Sequence, residues 1–297
     1  MNATGNGIPH MSDPAPTGEA RSAAASRWRD LGVRSLTAAV LIPLVILVTW
    51  AGGLWFAALI GAGGLLMAHE WCRMVHGGAL AQLALHGGAG LLAAGMATGL
   101  VTWPVLIAGL ALAWAASLVL AWRTGGLSRW VVTGVAYVAL PVVALGLLRQ
   151  GEAGLTAVLW VMLSVWAADI GAYFAGRIIG GPKLAPKISP NKTWAGLGGA
   201  MGGAMLASLA VWLTTGLANP AMALVLGGLV GLFEQMGDLF ESAAKRRFGR
   251  KDSGTLIPGH GGILDRVDGL VAASVLAAVI GAVHAGVTST AQGLLQW

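Results

Sequence analysis

Residues 221–268 have the sequence AMALVLGGLVGLFEQMGDLFESAAKRRFGRKDSGTLIPGHGGILDRVD. The first part of this stretch is almost entirely apolar, and the second part is dense in charge after a long part of the chain in which charge is scarce. An apolar run that ends in charge is typical of a membrane-spanning helix with one end in water. We therefore interpret residues 238–268 as a charged site held at the surface of a membrane bundle.

The composition of the whole chain agrees with a membrane protein. Hydrophobic residues make up 56%, charged residues 10%, and the mean hydropathy is +0.75, whereas charged residues reach about a quarter of a soluble domain. The apolar runs are about 16 to 25 residues long and lack strand-like alternation, which favours helices over a β-barrel. We predict an all-α, polytopic transmembrane helical bundle, in which the 46 glycines allow close helix approach.

About nine spans are predicted, at roughly 36–51, 54–72, 82–101, 104–122, 131–148, 154–175, 195–215, 221–240 and 267–290. We divide the chain into a disordered cytoplasmic arm (1–30), N-terminal transmembrane helices (31–150) and a C-terminal catalytic transmembrane region (151–297). The catalytic site is expected at the cytoplasmic ends of the last three or four helices. No cleaved leader is expected, because the first apolar run starts as late as Leu36.

The basic residues predict the orientation. With nine spans, all 18 Lys and Arg residues except Arg149 fall on the same side of the membrane, and the positive-inside rule makes that side cytoplasmic. We therefore expect an integral protein of the cell (inner) membrane, with the N-terminus and the active site cytoplasmic and the C-terminus outside.

Acidic side chains on two neighbouring spans predict a metal site. Asp238 lies on one helical face with other acids of its span, and Asp265 and Asp268 share a face three residues apart. Carboxylates that converge without partners would repel each other, and a divalent cation would remove that repulsion. Oxygen ligands favour Mg²⁺. We expect Asp238 and Asp265 to be the ligands, with Asp268 and the intramembrane Asp169 as second choices.

Two basic segments are candidates for phosphate binding. The run Lys245, Arg246, Arg247, Arg250 and Lys251 could neutralise phosphate oxygens, or it could be a patch that only attracts anionic lipid. The loop 177–194 contains three prolines, which exclude a helix. Its lysines suit phosphate, although a plain positive-inside loop would also contain them.

Two further segments are less specific. The turn Pro258–Gly262 cannot be helical and is expected to leave backbone N–H groups free for a ligand. His260 within it could shuttle a proton, donate to phosphate or merely cap the turn. For His69 and Glu70, near the end of the second span, we expect solvated side chains at the headgroup level. The residues as a whole indicate phosphoryl or nucleotidyl transfer at the membrane surface.

Three motifs then carry a family resemblance. They are the segment from Ser242 to Asp268, Asp169-Ile-Gly-Ala-Tyr-Phe, and Lys187-Ile-Ser-Pro-Asn-Lys-Thr-Trp-Ala-Gly196. In order and length they resemble the phosphatidate cytidylyltransferases, the CDP-diacylglycerol synthases. Nearly all of the resemblance lies in the last 130 or so residues. Ala195 departs from it, since the family usually has Glu there.

The resemblance implies that the phosphate of phosphatidic acid attacks the α-phosphate of CTP, giving CDP-diacylglycerol and pyrophosphate. It implies Mg²⁺ on Asp238 and Asp265, a second cation such as K⁺, membrane lipid as surroundings and a homodimer, and it gives no reason to expect nucleic acid. Implied catalytic residues are Asp238, Lys245, Arg246, Lys251, Asp252, His260, Asp265, Arg266 and Asp268. Implied substrate-binding residues are Asp169, Lys187, Ser189, Lys192, Thr193 and Ser242.

Two other classes of function remain open from the sequence. A related transferase, such as an isoprenoid-alcohol kinase or an archaeal-type CDP-lipid synthase, would use similar carboxylate and metal chemistry with another acceptor. A secondary transporter would also have an intramembrane Asp, but its site would lie at the bilayer midplane between repeated halves. We detect no internal repeat, and the charge lies at helix ends.

Overall fold

The computed structural model of the chain describes residues 37, 39–126, 128–216, 219–254, 256 and 261–297. The predicted arm 1–30 and His260 lie outside the described residues. The helices are α1 Ala39–Ala51, α2 Gly53–Val75, α3 Leu80–Ala97, α4 Trp103–Arg123, α5 Arg129–Leu148, α6 Gly154–Ile178, α7 Trp194–Thr215, α8 Pro220–Arg247, α9 Leu264–Ala285 and α10 Thr290–Leu295. A two-stranded antiparallel hairpin, β1 Lys183–Ala185 and β2 Ser189–Thr193, joins α6 to α7.

Helices α2 to α9 are long and apolar enough to cross a membrane, which confirms the predicted all-α membrane bundle. The first predicted span falls on α1, a shorter apolar helix within the described residues. The number nine therefore stays a prediction. Residues 179–193 of the predicted loop 177–194 are not helical, as the prolines require, whereas its ends belong to α6 and α7. The sequence did not reveal that the loop pairs as a hairpin.

The helices alternate in direction, because short connections join neighbours that pack together. The charged end of the bundle is the end at which α2, α4, α6 and α8 finish. Each of these four helices has a basic residue in its last turn, whereas α3, α5 and α7 have none there. Basic side chains at a helix C-terminus interact favourably with its dipole.

At the opposite end, Arg149 performs a local structural task. Its Nε donates to the carbonyl oxygen of Thr49 at 2.8 Å, and its guanidinium also donates to the carbonyl oxygen of Trp50 at 3.1 Å. These carbonyls belong to the last turn of α1, whose C-terminal carbonyls lack intrahelical partners. The one basic residue that falls on the other side in the predicted topology thus caps a helix.

The end of the last predicted span is wrong. Helix α9 stops at Ala285 rather than near residue 290, because Gly286 adopts a positive φ of 86°. The chain then forms a short 3₁₀ turn and α10, which packs back against α9. Gly293 makes this possible, since a Cβ there would clash with the carbonyl oxygen of Gly281.

Glycines bring the backbones of the last four long helices into contact. Between α6 and α7, a Cβ on Gly171 or Gly199 would clash with the carbonyl oxygen of the other glycine. Between α7 and α8, a Cβ on Gly231 would lie 2.7 Å from the carbonyl oxygen of Ala200. Between α8 and α9, a Cβ on Gly237 would clash with the carbonyl oxygen of Asp268. Side chains of these helices are therefore held unusually close together.

Helix α7 has two rows of glycines, Gly199 with Gly203 and Gly198 with Gly202, and they allow a matched test. Gly199→Ala should lower the free energy of unfolding by about 1–3 kcal/mol, because the added methyl group forces α6 and α7 apart. Gly202→Ala, on the same helix, should have little effect, since its Cβ would meet no atom within 4 Å. Thermal unfolding of both variants in detergent measures the difference. Equal midpoints for the two variants would contradict this account of the interface.

Candidate active site

Helix α8 presents an acidic and basic face toward the charged end of the bundle. Glu234, Asp238, Glu241 and Lys245 follow each other at spacings of three and four, so they share this face. Glu234 and Glu241 are each only 1% exposed. Buried carboxylates are costly unless they are paired or hydrogen-bonded. The partners of these acids therefore decide what the site can do.

Asp238 is held by a lysine from the hairpin. The Nζ of Lys192, on β2, lies 2.6 Å from the Oδ2 of Asp238 and donates to the Oε1 of Gln235 at 2.7 Å. Ser242, one turn further along α8, donates its hydroxyl to the Oδ1 of Asp238 at 3.2 Å. Arg246 adds a second link, from its Nε to the carbonyl oxygen of Ile188 at 3.2 Å. The hairpin is thus fastened across the end of α8.

Asp265, in the first turn of α9, accepts hydrogen bonds on both oxygens. Its Oδ1 lies 2.6 Å from the Nζ of Lys245, which also pairs with Glu241 at 2.5 Å. Its Oδ2 accepts from the backbone N–H and the hydroxyl of Ser253 and from the backbone N–H of Gly262, at 3.0, 2.9 and 3.0 Å. The N–H of Gly262, expected to be free for a ligand, is therefore engaged.

These contacts overturn one premise of the sequence argument. The carboxylates are not unpaired, because Lys192 neutralises Asp238 and Lys245 lies between Glu241 and Asp265. Among the described residues, no group of three or more acidic, His or Cys side chains is arranged to hold a metal ion. A metal here would depend on one or two carboxylates, which is the usual share for Mg²⁺ when phosphates complete its shell.

Asp268 is the least engaged of the predicted acids on α9. It accepts a hydrogen bond from the N–H of Gly269 at 2.9 Å, and Asp238 and Asp169 are its electrostatic neighbours. The crossing of α8 and α9 causes this proximity, since a Cβ on Gly269 would lie 2.7 Å from the Cγ of Glu234. Asp238 is thus an electrostatic neighbour of Asp268, whereas Asp265 contacts Lys245, Ser253 and Gly262.

Asp169 brings α6 into the same cluster. A side-chain hydrogen bond links it to Glu234, and Lys192 and Arg266 are its basic neighbours. A hydrogen bond between two carboxyl groups requires a shared proton, because ionised carboxylates only accept. The cluster thus contains carboxyl groups from three helices, and at least one proton is shared within it.

The role of Glu70 differs from the one expected from the sequence. Instead of being solvated, Glu70 is 1% exposed and lies against the start of α9. It accepts from the backbone N–H groups of Ile263 and Leu264, at 2.9 Å each, and its Oε2 lies 2.9 Å from the Ser253 hydroxyl, whose single proton is shared between Glu70 and Asp265. A carboxylate on α2 therefore caps the N-terminus of α9, where unpaired N–H groups and the helix dipole favour a negative charge.

Aromatic side chains fix α8 against the N-terminal half of the bundle. The ring of Phe240 lies 5.2 Å from Tyr137 and 5.5 Å from Trp130 on α5, and 6.3 Å from Trp71 on α2, measured between centroids. Such pairs contribute beyond the burial of their area. These ring contacts fix the position of α8, and with it the position of its charged face, relative to α2 and α5.

The other predicted residues fall into three groups. Thr193 is 4% exposed and caps α7 by accepting from the N–H of Gly196 at 3.0 Å, while Ser189 begins β2 and Lys187 is exposed beside the hairpin turn. Lys251 and Asp252 are exposed and line a polar cavity of about 420 Å³. Roles in binding or catalysis for these residues, for Arg266 and for His260 stay predictions.

Glu70 offers a test of how the site is held. Glu70→Ala should lower the free energy of unfolding by about 1–3 kcal/mol, because two N–H groups at the start of α9 lose their acceptor. Thermal unfolding in detergent is the measurement. Glu152→Ala removes an exposed carboxylate from a loop and serves as the control. Glu70 would not be a structural cap if both variants unfolded at the same temperature.

Comparisons with known proteins identify the family of the chain. The model of the Cytidylyltransferase family matches residues 32–284. A phosphatidate cytidylyltransferase of Brucella suis is 43% identical over 267 residues, covering 86% of this chain and 95% of that protein. The enzyme of the same name from Pseudomonas aeruginosa is 38% identical over 260 residues, covering 81% and 93%. The chain belongs to the cytidylyltransferase family.

Proposed function

We propose that the protein transfers CMP from CTP to phosphatidate, giving CDP-diacylglycerol and pyrophosphate. The observation that carries this proposal is the meeting of carboxylates from α6, α8 and α9 with Lys192 and Lys245 at one end of the bundle. Family membership and the printed names of the Brucella and Pseudomonas relatives support it. A transporter site would instead be expected at the bilayer midplane.

The reaction needs positioning and charge neutralisation rather than a covalent nucleophile. A phosphate oxygen of phosphatidate forms a bond to the α-phosphorus of CTP. The bond from that phosphorus to the oxygen bridging to the β-phosphate breaks, and its electron pair leaves with pyrophosphate. Lys192 and Lys245 are compact positive charges suited to the phosphate oxygens, and each is already oriented by a carboxylate. This preorganisation is what stabilises a transition state electrostatically.

The donor set fits Mg²⁺, which we propose as the cofactor. Carboxylate oxygens are its preferred protein ligands, and it accepts one or two of them together with substrate phosphates. When bound, it would neutralise phosphate oxygens and draw electron density from the α-phosphorus. Asp238 is the proposed ligand from α8. On α9, Asp265 is the predicted ligand. Asp268 is the alternative ligand, because fewer of its hydrogen-bonding positions are occupied by protein groups. A second cation such as K⁺ has no assigned ligands.

Orientation and assembly complete the proposal. The basic last turns of α2, α4, α6 and α8 support a cytoplasmic charged end in the cell's inner membrane, with the C-terminus outside. CTP would then reach the site from the cytoplasm and phosphatidate from the bilayer. The homodimer that the family resemblance implies stays a prediction.

The function is tested with purified protein in nanodiscs that contain phosphatidate. Radiolabelled CTP should yield labelled CDP-diacylglycerol, and the product should vanish when EDTA removes Mg²⁺ and return when Mg²⁺ is added. ATP in place of CTP, and a polyprenol in place of phosphatidate, should give no product. Product formation with polyprenol and none with phosphatidate would favour the related kinase-like transferase instead.

The metal ligands are tested by Asn substitutions of Asp238, Asp265 and Asp268. Loss of a ligand should lower activity by at least the roughly 10- to 100-fold expected for residues that only support a ligand, and it should raise the Mg²⁺ concentration needed for half-maximal rate. A residue that only orients Lys245 should lower the rate without changing the Mg²⁺ requirement. Full activity of Asp265→Asn, with folding verified by thermal unfolding, would falsify the predicted ligand pair. Glu152→Gln, in an exposed loop, is the control.

A further inference from the structure

We propose that the polar cavity between the end of α2 and residues 250–256 binds the polyphosphate chain of the nucleotide, and that Arg73 of α2 is one of its ligands. The cavity has a volume of about 420 Å³, within the range of small-molecule sites. This inference rests on the proposed function for the identity of the nucleotide. It assigns a binding role to a helix outside the three motifs that carry the family resemblance.

The lining of the cavity matches phosphate chemistry. Its residues are His69, Glu70, Arg73, Arg250, Lys251, Asp252, Ser253, Gly254 and Leu256. Arg73, Arg250 and Lys251 are exposed, and they supply guanidinium and ammonium groups of the kind that bind phosphate oxygens. Glu70 adds little repulsion, because its oxygens are directed at Ser253 and at the N–H groups that begin α9.

Arg73 is free to contact a ligand. It lies in the last turn of α2, and its guanidinium has no hydrogen bond or ion pair to another described residue. Arg250, in contrast, donates to the carbonyl oxygen of Arg73 at 3.0 Å. That bond ties the 250–256 segment to the end of α2. The position of Arg73 at the cavity is therefore fixed by the backbone, while its side chain remains available.

The cavity adjoins the carboxylate cluster through one residue. Ser253 lines the cavity, and its hydroxyl and N–H both contact the Oδ2 of Asp265. Asp265 in turn holds Lys245 at 2.6 Å. A phosphate chain in the cavity would thus extend away from the reacting centre on the far side of Ser253. A nucleotide whose α-phosphate is at the cluster could place its β- and γ-phosphates there, next to Arg73 and Lys251.

The lining argues against the lipid substrate as the occupant. Among the described lining residues, Leu256 is the one large apolar side chain, so this part of the lining offers little surface for acyl chains. A separate apolar cavity of about 200 Å³ lies within the bundle, lined by residues such as Met67, Ile263 and Val267. Phosphate is common to both substrates, and the experiment must therefore distinguish CTP from phosphatidate.

The experiment measures binding of inorganic tripolyphosphate to the purified full-length protein in detergent with excess Mg²⁺. This probe contains neither the base nor a lipid, so it reports on the cavity even if the proposed reaction does not occur. Arg73→Ala should weaken tripolyphosphate binding about tenfold, which corresponds to about 1.4 kcal/mol. In the activity assay, the same variant should raise the KM for CTP by a similar factor and leave the KM for phosphatidate unchanged.

Two further variants keep the result interpretable. Arg123→Ala removes the same charge from the last turn of α4, outside the cavity, and should change neither constant. Arg73→Cys allows labelling with a charged thiol reagent, because the one native cysteine, Cys72, is only 1% exposed. Tripolyphosphate should slow the labelling and phosphatidate-containing nanodiscs should not. This readout needs no activity and also applies if Arg73→Ala is poorly folded.

The outcomes separate the two proposals. Unchanged tripolyphosphate binding in Arg73→Ala, or labelling of Arg73→Cys that tripolyphosphate does not slow, overturns the assignment of the cavity. A rise in the KM for phosphatidate alone also overturns it, since the cavity would then bind the lipid phosphate. Failure of the wild-type protein to form CDP-diacylglycerol refutes the proposed function, whereas the dependence of tripolyphosphate binding on Arg73 would still support the cavity as a polyphosphate site.

Discussion

Direct backbone contact between helices is the constraint on which the site depends. Glycines remove the side chains that would separate α6 from α7, α7 from α8, and α8 from α9. Asp169, Glu234 and Asp268 can meet only because these three interfaces are so narrow. In a membrane, where apolar side chains gain nothing by leaving lipid for protein, such close packing is a main source of helix association. The same contacts that stabilise the bundle therefore assemble its charged cluster.

The N-terminal half of the chain has a direct part in the site. Glu70 caps α9, and the Ser253 hydroxyl joins Glu70 to Asp265. Glycines are required next to both oxygens of Glu70. A Cβ on Gly254 would lie 2.5 Å from its Oε1, and a Cβ on Gly262 would lie 2.5 Å from its Oε2. Buried hydrogen bonds therefore join the N-terminal transmembrane helices to the predicted C-terminal catalytic region. The contact lies at the position where the chemistry is proposed.

The sequence was informative where periodicity and composition decide the structure. Apolar length identified helices α2 to α9, and the spacing of Asp238 and Glu241 placed them on one face. It failed where a contact joins distant parts of the chain. Nothing in the residues around Glu70 specifies an acceptor for N–H groups some 190 positions later. Likewise, prolines excluded a helix at 177–194, but strand pairing and the Lys192–Asp238 bridge depend on tertiary structure.

The site has two compartments, one on either side of Ser253. On one side the acids outnumber the neighbouring bases; the acids are Asp169, Glu234, Asp238, Glu241, Asp265 and Asp268, and the bases are Lys192, Lys245 and Arg266. Asp169 and Glu234 share a proton, and the ionised carboxylates would attract a cation that a phosphate brings with it. On the other side, basic side chains predominate in the cavity. An extended anion that brings its own cation satisfies both compartments at once, and a nucleoside triphosphate with Mg²⁺ has that form.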